Sequence, residues 1–371
     1  MKIVTHETKI ICDNPNSLHG YFAWPSVTRL QDGRLAMVAS GFRMAHICPF
    51  GKGIICYSED DGATWTRPLP IIDTPLDDRD CGICTFGEND VIVTSFNNTA
   101  SQQRNWAEMT HPVHKKTEEE KKYINAYLDY MLANVNEDDY LGSTFVMSHD
   151  GGKTFDREVR RLPITNPHGP CRLPDGTLLH VGLLFHAYVN GAKNCTEPTK
   201  TIASYQVFPD GSYQKLGEIE NTIPGNILEE PHAIVLKNGK VVVHIRVEGN
   251  GQFTLYQSES YDLGKTFTEP HKILGDRGGA PAHLLELSDG TLLSVYGYRD
   301  LPFGIKAMFS YDGGETWDID NVIFETDSSE DIGYPCTVEL PEGKLLTVYY
   351  CKPTHDAPAV IMPTIGSFEK E

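Results

Sequence analysis

The octet SYDGGETW, Ser310–Trp317, decides the fold, because close copies of it occur three more times in the chain. The copies are SEDDGATW from Ser58, SHDGGKTF from Ser148 and SYDLGKTF from Ser260. The last two octets start 50 residues apart (260 and 310), and the interval from 148 to 260 is about two such periods. SYQVFPDGSY, from Ser204, fits between them as a degenerate copy. A period near 50 residues with strand-like patterning is typical of a β-propeller in which each repeat is one blade.

A second recurring element is an apolar stretch interrupted by a turn, usually Asp-Gly, Asn-Gly or Glu-Gly, which indicates a β-hairpin. It occurs as VTRLQDGRLAMVAS, CRLPDGTLLHVGLL, AIVLKNGKVVVHIR, HLLELSDGTLLSVYG and TVELPEGKLLTVYY, with a weaker sixth in GICTFGENDVIVTSF. Six hairpins predict an all-β, six-bladed propeller. The first strand, KIVTHETKII, is expected to complete the last blade and remove a free sheet edge.

The octet is then expected to be the turn between the two outer strands of a blade. Its Asp caps backbone N–H groups, the Gly at its fifth position accepts a positive φ, and its terminal Trp or Phe packs between neighbouring sheets. We therefore interpret the octet as part of the scaffold.

The interval between the first two octets exceeds one period by about 40 residues, which predicts an insertion over residues 101–140 of the second blade. TEEEKKYINAYLDYMLANV begins with a capping-box pattern, Thr117 to Glu120, and indicates a helix. Its apolar stripe contains Ile124, Tyr127, Leu128, Met131 and Leu132. The helix is expected to pack on its own propeller, to form a homo-oligomer contact or to cover the mouth of the ring. The rest of 1–371 is predicted to form a single propeller domain.

Composition limits the partners. A formal net charge of −19 argues against nucleic acid and anionic membranes, so an anionic ligand must meet a local cluster of arginines. The N-terminus lacks the apolar core of a signal peptide, and nine scattered cysteines suggest no disulfide framework, so a cytoplasmic location is expected. CGIC, Cys81–Cys84, is a lone pair that favours a buried strand over a metal site, and no cofactor motif occurs.

Four octets of the form S-x-D-x-G-x-T-[W/F] in a six-blade pattern resemble the Asp-boxes (BNR repeats) of the sialidase superfamily, over nearly the whole chain. The resemblance implies an exo-glycosidase. Such enzymes hold a substrate carboxylate with three arginines, use a tyrosine nucleophile activated by a glutamate, and use an aspartate as acid/base.

Three segments resemble those that carry this machinery. LEEPHAIVLKNGKVVVHIR implies Glu230 as the activating carboxylate, with Glu229 as a rival, and Arg246 as one arginine. IGYPCTVELPEGKLLTVYY implies Tyr334 as the nucleophile. VYGYRDLPFGIKAMFSYDGGETW implies Arg299 as a second arginine.

The first blade departs from the family pattern. The family's Arg-Ile-Pro is Ala-Trp-Pro here, which leaves Ala23 where an arginine is expected. The loop before the first octet, GFRMAHICPFGKG, contains no carboxylate for the acid/base role. Arg43 is a candidate for the missing positive charge, and His46 is a candidate for the proton donor.

Independently of the resemblance, polar residues at the starts of inner strands converge on one mouth of a propeller. Charged and imidazole groups there are costly unless they are paired or serve a ligand. Together with the roles that the resemblance implies, this gives a predicted catalytic set of Tyr334, Glu230 and His46. The predicted substrate-binding set is Arg43, Arg246, Arg299, Asp78, Arg79, Asp80, His168, His232 and His283.

These residues predict a retaining glycoside hydrolase of the sialidase type that releases a terminal acidic sugar from small glycans, with no cofactor or metal. Two alternatives remain open. One is a lyase that eliminates across a uronate, with His46 or His168 and Tyr334 as base and acid. The other is a propeller that binds glycans without turning them over.

Overall fold

Six antiparallel sheets surround one axis in the computed structural model, which describes residues 2–6, 9–111, 113–184, 201–279 and 281–369. We number them as blades I to VI in chain order. The innermost strands of successive blades contact each other, and that of blade VI contacts that of blade I, so the ring is closed. This confirms the predicted all-β, six-bladed propeller.

The first strand of the chain, β1 (Lys2–His6), is the outermost strand of blade VI. Blade I contains β2 Tyr21–Arg29, β3 Leu35–Arg43, β4 Lys52–Ser58 and β5 Leu69–Ile72, and blade II contains β6 Arg79–Phe86, β7 Asp90–Phe96, β8 Ser143–Ser148 and β9 Arg160–Leu162. Blade III contains β10 Ile164–Thr165, β11 Cys171–Arg172, β12 Leu178–Leu184, β13 Ile202–Val207 and β14 Tyr213–Ile219, and blade IV contains β15 Ile227–Val235, β16 Val241–Gly249, β17 Gln252–Ser260 and β18 His271–Lys272. Blade V contains β19 Ala282–Glu286, β20 Leu292–Tyr298, β21 Phe303–Ser310 and β22 Asp318–Thr326, and blade VI contains, besides β1, β23 Gly333–Glu339, β24 Lys344–Cys351 and β25 Val360–Glu369.

Each octet joins the third and fourth strands of a blade, as predicted. In the last copy, Ser310 Oγ accepts the Gly314 N–H at 2.7 Å, and the Asp312 carboxylate accepts the Thr316 N–H at 3.0 Å and its hydroxyl at 2.6 Å. Gly314 has a φ of +90°, which explains the glycine at the fifth position. Trp317 closes the octet, and its indole N–H donates to Gln257 Oε1 of blade IV at 2.9 Å. The octet is therefore a scaffold joint that also ties neighbouring blades together.

The ring is closed by the N-terminal strand, as predicted. β1 pairs antiparallel with β25, from Lys2 opposite Glu369 to His6 opposite Ile365. All six predicted hairpins connect the two inner strands of a blade; in blade III the inner strand is divided into β10 and β11. Buried aliphatic residues of facing sheets form the core between blades.

The insertion lies between β7 and β8 of blade II and contains two helices, α1 (Ala100–Ala107) and α2 (Glu118–Asn134), where we predicted one. The capping box at Thr117 is confirmed, because Glu120 N–H donates to its hydroxyl at 3.2 Å and Glu120 Oε2 accepts its N–H at 2.7 Å. The stripe packs against blade I loops, with the exception of Leu132, which is 44% exposed.

The outer face of α2 exposes the aromatic rings of Tyr123 and Tyr130. A homo-oligomer contact through this face stays a prediction. Of the helices in the described part of the chain, none is long and apolar enough to cross a membrane.

Candidate active site

The inner strands of four blades share a backbone irregularity near their first residues. Trp24, Asp80, Glu230 and Tyr334 have φ values of +56°, +43°, +47° and +51°, and each lies at a break in strand register. A non-glycine residue with such a φ costs about 1–3 kcal/mol, so the surrounding ring must hold it there. Conformations of this kind concentrate at functional sites. In three of the four cases proline follows, a shared X-Pro pair that could have identified Trp24 from the sequence.

Tyr334, Glu230 and Arg246 form one connected group. The Tyr334 hydroxyl donates a short hydrogen bond to Glu230 Oε1, and Arg246 Nη1 binds Glu230 Oε2 at 2.5 Å. Arg246 also pairs with Glu248, whereas the rival carboxylate Glu229 lies 4.0 Å from Arg246 Nη2. The structure therefore brings Glu230, rather than Glu229, onto the Tyr334 hydroxyl.

The phenol of Tyr334 is only 5% exposed, and burial raises its pKa well above the ordinary value. The carboxylates of Glu230 and Asp80 raise this pKa further, against the opposing effect of Arg246 and Arg299. The resting phenol therefore keeps its proton, and that proton lies in the hydrogen bond to Glu230. Deprotonation then requires transfer to that carboxylate.

Arg299 carries an uncompensated charge beside this group. Its Nε donates to the Ile332 carbonyl at 3.0 Å and its Nη2 to the Tyr350 hydroxyl at 3.1 Å. Over the residues that the structure describes, no carboxylate lies within ion-pair distance of it. Burial alone would lower its pKa, but Tyr350 and Tyr334, together with the Asp331 carboxylate, raise it. The guanidinium thus stays charged and has room to bind an anionic ligand.

His46 is held by a carboxylate that the sequence did not reveal. Its Nδ1 lies 2.8 Å from Asp331 Oδ1, and the Tyr21 hydroxyl donates to Asp331 Oδ2 at 2.9 Å. Burial lowers the pKa of His46, and Asp331 opposes that shift. Nε2 has no hydrogen-bond partner among the described residues, and the ring faces the cavity described below. Asp331 thus supplies, from blade VI, the carboxylate that the first-blade loop lacks.

Arg43 was predicted to contact substrate, but it lies beneath the residues that line the cavity. Its guanidinium is fully buried and binds Asp77 at 2.5 and 2.9 Å. It also donates to the Ser40 hydroxyl and stacks under Trp24, 4.7 Å from the ring centre. Burial alone would lower its pKa, but Asp77 raises it. Arg43 therefore supports the floor of the site and lies outside the cavity wall. Ala23 is fully buried.

This buried ion pair leads to a stability prediction. Arg43→Met is expected to lower the free energy of unfolding by about 3–5 kcal/mol, because it leaves the Asp77 carboxylate buried without its partner. Urea unfolding followed by tryptophan fluorescence measures the change. The double variant Arg43→Met/Asp77→Leu should recover much of the loss, since it removes both charges of the pair. A loss below about 1 kcal/mol in the single variant would contradict this role.

Asp78, Arg79 and Asp80, the three consecutive residues predicted to bind substrate, have different surroundings. Asp78 accepts the Thr74 N–H at 2.7 Å and its hydroxyl at 2.9 Å, and so holds the loop before β6. Arg79 stacks over Trp24 at 4.3 Å. Asp80 Oδ1 is buried without a hydrogen-bond partner, and burial raises the pKa of Asp80 to about 7. Of the three, Asp80 is the one whose charge acts on Tyr334.

His168, His232 and His283 pack together behind Tyr334 on the propeller axis. Their ring centres lie 4.6–5.6 Å apart, and His168 lies 6.4 Å from the Tyr334 ring. The Leu284 N–H donates to His232 Nδ1 at 2.9 Å, and burial lowers the pKa of all three, so they are neutral. They lie outside the cavity wall. Over the described ranges, no three His, Cys, Asp or Glu side chains are arranged to hold a metal ion.

The cavity at the mouth of the ring has a volume of about 380 Å³. Four of the predicted residues line it: His46, Arg246, Arg299 and Tyr334. Sequence reasoning missed Phe253, Asp331 and two histidines of the insertion, His111 and His114. The arrangement offers a tyrosine with a bound base, a free guanidinium and an imidazole, which together suit chemistry at the anomeric carbon of an acidic sugar.

Comparison with known proteins supports this architecture. The family model of the BNR repeat-like domain matches residues 125–347, more than half of the chain. A Dyadobacter fermentans protein of unknown function superposes with a TM-score of 0.74 at 21% identity, over 99% of both chains. The NanB sialidase from Streptococcus pneumoniae gives 0.68 at 11% identity, over 98% of this chain and 70% of that one. The intramolecular trans-sialidase from Ruminococcus gnavus superposes with a TM-score of 0.66 at 12% identity, over 97% of both chains. At such identities these likenesses establish the fold alone. No curated protein sequence matches the chain.

Proposed function

Because the chain belongs to the BNR repeat-like domain family, we propose that it is an exo-acting glycoside hydrolase of the sialidase type. Its substrate is a small glycan that ends in a carboxylated sugar, either sialic acid or a related one. The observation that carries this proposal is that Tyr334, which lines the same cavity as Arg299, donates its hydroxyl proton to Glu230 in a hydrogen bond.

The first chemical step forms a bond between Tyr334 Oη and the anomeric carbon while the bond to the leaving oxygen breaks. Glu230 takes the phenol proton, and Arg246 holds Glu230 in position through its 2.5 Å ion pair. A neutral phenol avoids the repulsion that a carboxylate nucleophile would meet from an anionic substrate. Protonated His46 gives its Nε2 proton to the leaving oxygen. In the second step water replaces the tyrosine, with Glu230 returning the proton to the phenol and His46 acting as base, so the anomeric configuration is retained.

Arg299 supports a carboxylated substrate. Its guanidinium has neutral hydrogen-bond partners, whereas Arg246 is occupied by Glu230 and Glu248. Because Ala23 replaces an arginine in the first blade and Arg43 is bound to Asp77, binding of the substrate carboxylate depends mainly on Arg299. One free guanidinium in place of three suits a uronate at least as well as sialic acid.

Elimination across a uronate is the second candidate, and the His46–Asp331 pair favours it. An imidazole held by a buried carboxylate is a competent base for the proton on the carbon that bears the carboxylate. Arg299 would stabilise the negative charge that develops on the carboxylate. In that reaction His46 removes the proton, the leaving oxygen takes a proton from Tyr334 as its bond to the uronate breaks, and a carbon–carbon double bond forms in the acidic product.

The test is product analysis with matched substrate pairs. The purified protein is incubated with disaccharides that end in sialic acid, glucuronic acid or glucose, and the reaction is followed by proton NMR and ultraviolet absorbance. We expect release of an acidic sugar with retained configuration, no ultraviolet band and no turnover of the glucoside. An unsaturated product would establish the lyase. Calorimetric binding of an acidic disaccharide without turnover would establish a non-catalytic glycan-binding protein.

A further inference from the structure

We propose that the helical insertion of blade II builds a leaving-group subsite, in which His114 and His111 bind hydroxyl groups of the neutral sugar that is released. This inference rests on the proposed function and adds to it the ligand chemistry of the second half of the cavity. The two histidines lie in the loop between α1 and α2, and both line the cavity that contains Tyr334.

The position of the blades divides the cavity into two sides. In a ring of six, blade I faces blade IV and blade II faces blade V. Arg246 and Arg299 come from blades IV and V and form the arginine side, whereas His46 comes from blade I and the two insertion histidines from blade II. Because the arginine side attracts the carboxylated sugar, the sugar on the other side of the glycosidic bond must lie against the imidazoles.

The imidazole rings of His46, His114 and His111 follow one another in a row, which begins at His46, the predicted acid. The His114 ring centre lies 4.8 Å from that of His46, and the His111 ring centre lies 5.7 Å from that of His114. At the outer end, His111 Nε2 is 3.7 Å from the Glu330 carboxylate. A sugar whose glycosidic oxygen contacts His46 would therefore extend over His114 and His111.

The chemistry of His114 indicates a neutral ligand with hydroxyl groups. Its Nδ1 is buried and has no hydrogen-bond partner among the residues that the structure describes. Burial, together with the neighbouring His46, lowers the pKa of His114 to about 3, so the ring is neutral. A neutral imidazole offers one donor and one acceptor and little attraction for an anion, which matches a sugar hydroxyl.

The insertion is anchored firmly enough to position these rings. The Tyr127 hydroxyl donates to the Pro75 carbonyl at 2.7 Å, and Gln103 donates to Asp77 at 3.0 Å. In the loop itself, the buried Lys116 ammonium donates to the His114 carbonyl at 3.0 Å. A binding surface held by such contacts needs little ordering when a ligand arrives.

The test compares two substrates with the same acidic sugar, a disaccharide and a 4-nitrophenyl glycoside. For His114→Ala and His111→Ala we expect kcat/KM on the disaccharide to fall about tenfold each, the effect of one lost hydrogen bond. On the aryl glycoside the value should stay within about twofold, as should inhibition by the free acidic sugar. His355→Ala, at a histidine that is 76% exposed, is the matched control.

Equal losses on both substrates would overturn the subsite and indicate a structural role, and so would no loss on either. His114→Asn keeps a polar side chain and replaces the alanine variant if that variant does not fold. If the wild-type protein cleaves neither substrate, the proposed function fails, and calorimetry with the S-linked disaccharide then tests the subsite by itself. Binding that His114→Ala weakens about tenfold would retain the subsite, and unchanged binding would reject it.

Discussion

Tyr334→Phe is expected to lower kcat on the acidic disaccharide by about 10³-fold or more, because it deletes the atom that forms the covalent bond in the proposed mechanism. The aromatic ring remains, so its contacts with Trp24 and His168 persist and the fold should be unchanged. Steady-state kinetics, with circular dichroism as a check on folding, measures the effect. The variant should still bind the acidic sugar, since Arg299 is intact.

Glu230→Gln belongs to the same prediction, because it removes the base while keeping the shape of the side chain. A loss of about 10²–10⁴ in kcat is expected. Glu229→Gln is the matched control, since the two carboxylates are adjacent and only Glu230 contacts the Tyr334 hydroxyl. Full turnover by both Tyr334→Phe and Glu230→Gln would exclude the tyrosine mechanism. A larger loss in Glu229→Gln than in Glu230→Gln would show that Glu229, rather than Glu230, is the base.

The fold could be predicted because its determinants are local. Each octet satisfies its own hydrogen bonds, as Ser310, Asp312 and Gly314 do within five residues, and each hairpin contains its own turn. Repetition at a fixed spacing then counts the blades. Local rules of this kind also predicted the capping box of α2, although the shorter helix α1, with eight residues, was not predicted within the insertion.

The contact between Tyr334 and Glu230 was predictable for a different reason. Glu230 and Tyr334 each precede a proline at the start of an inner strand, and the closed ring brings such starts to one axis. At Trp24, which also precedes a proline, comparison with the family indicated only that an arginine is missing at Ala23. The structure shows that the Trp24 indole ring packs over Arg43. A motif comparison reports which residue type is absent and gives no information about what fills the space.

The contact between His46 and Asp331 could not be predicted, because it joins the first blade to the loop before the last blade. His46 belongs to blade I and Asp331 to the loop before blade VI, 285 residues apart in sequence. No spacing rule connects them, and Asp331 lies in a stretch whose neighbours are also acidic. The ion pair between Arg43 and Asp77 could not be predicted for a similar reason, because only the turn between blades I and II brings the two side chains together.

His46→Ala is expected to lower kcat/KM about 10³-fold on the acidic disaccharide, because a sugar alkoxide departs only when it is protonated. On the 4-nitrophenyl glycoside of the same sugar the loss should be about tenfold or less, since nitrophenolate leaves without a proton. Equal losses on the two substrates would show that His46 has another role. Glu330→Gln, a substitution in the same cavity, should lower both rates by no more than a few-fold.

The pH dependence tests whether Asp331 tunes this acid. In the proposed mechanism the leaving-group step needs protonated His46. The value of kcat/KM on the disaccharide should therefore fall as the pH rises through the pKa of His46, which burial holds below its ordinary value. Asp331 raises that pKa, so Asp331→Asn should move the fall to still lower pH, and Tyr21→Phe should leave it nearly in place because Asp331 keeps its charge. The aryl glycoside, which does not depend on the acid in this step, should show no such limb for any of the three proteins. A disaccharide profile that Asp331→Asn leaves unmoved would mean that the carboxylate only packs against the imidazole and does not set its protonation.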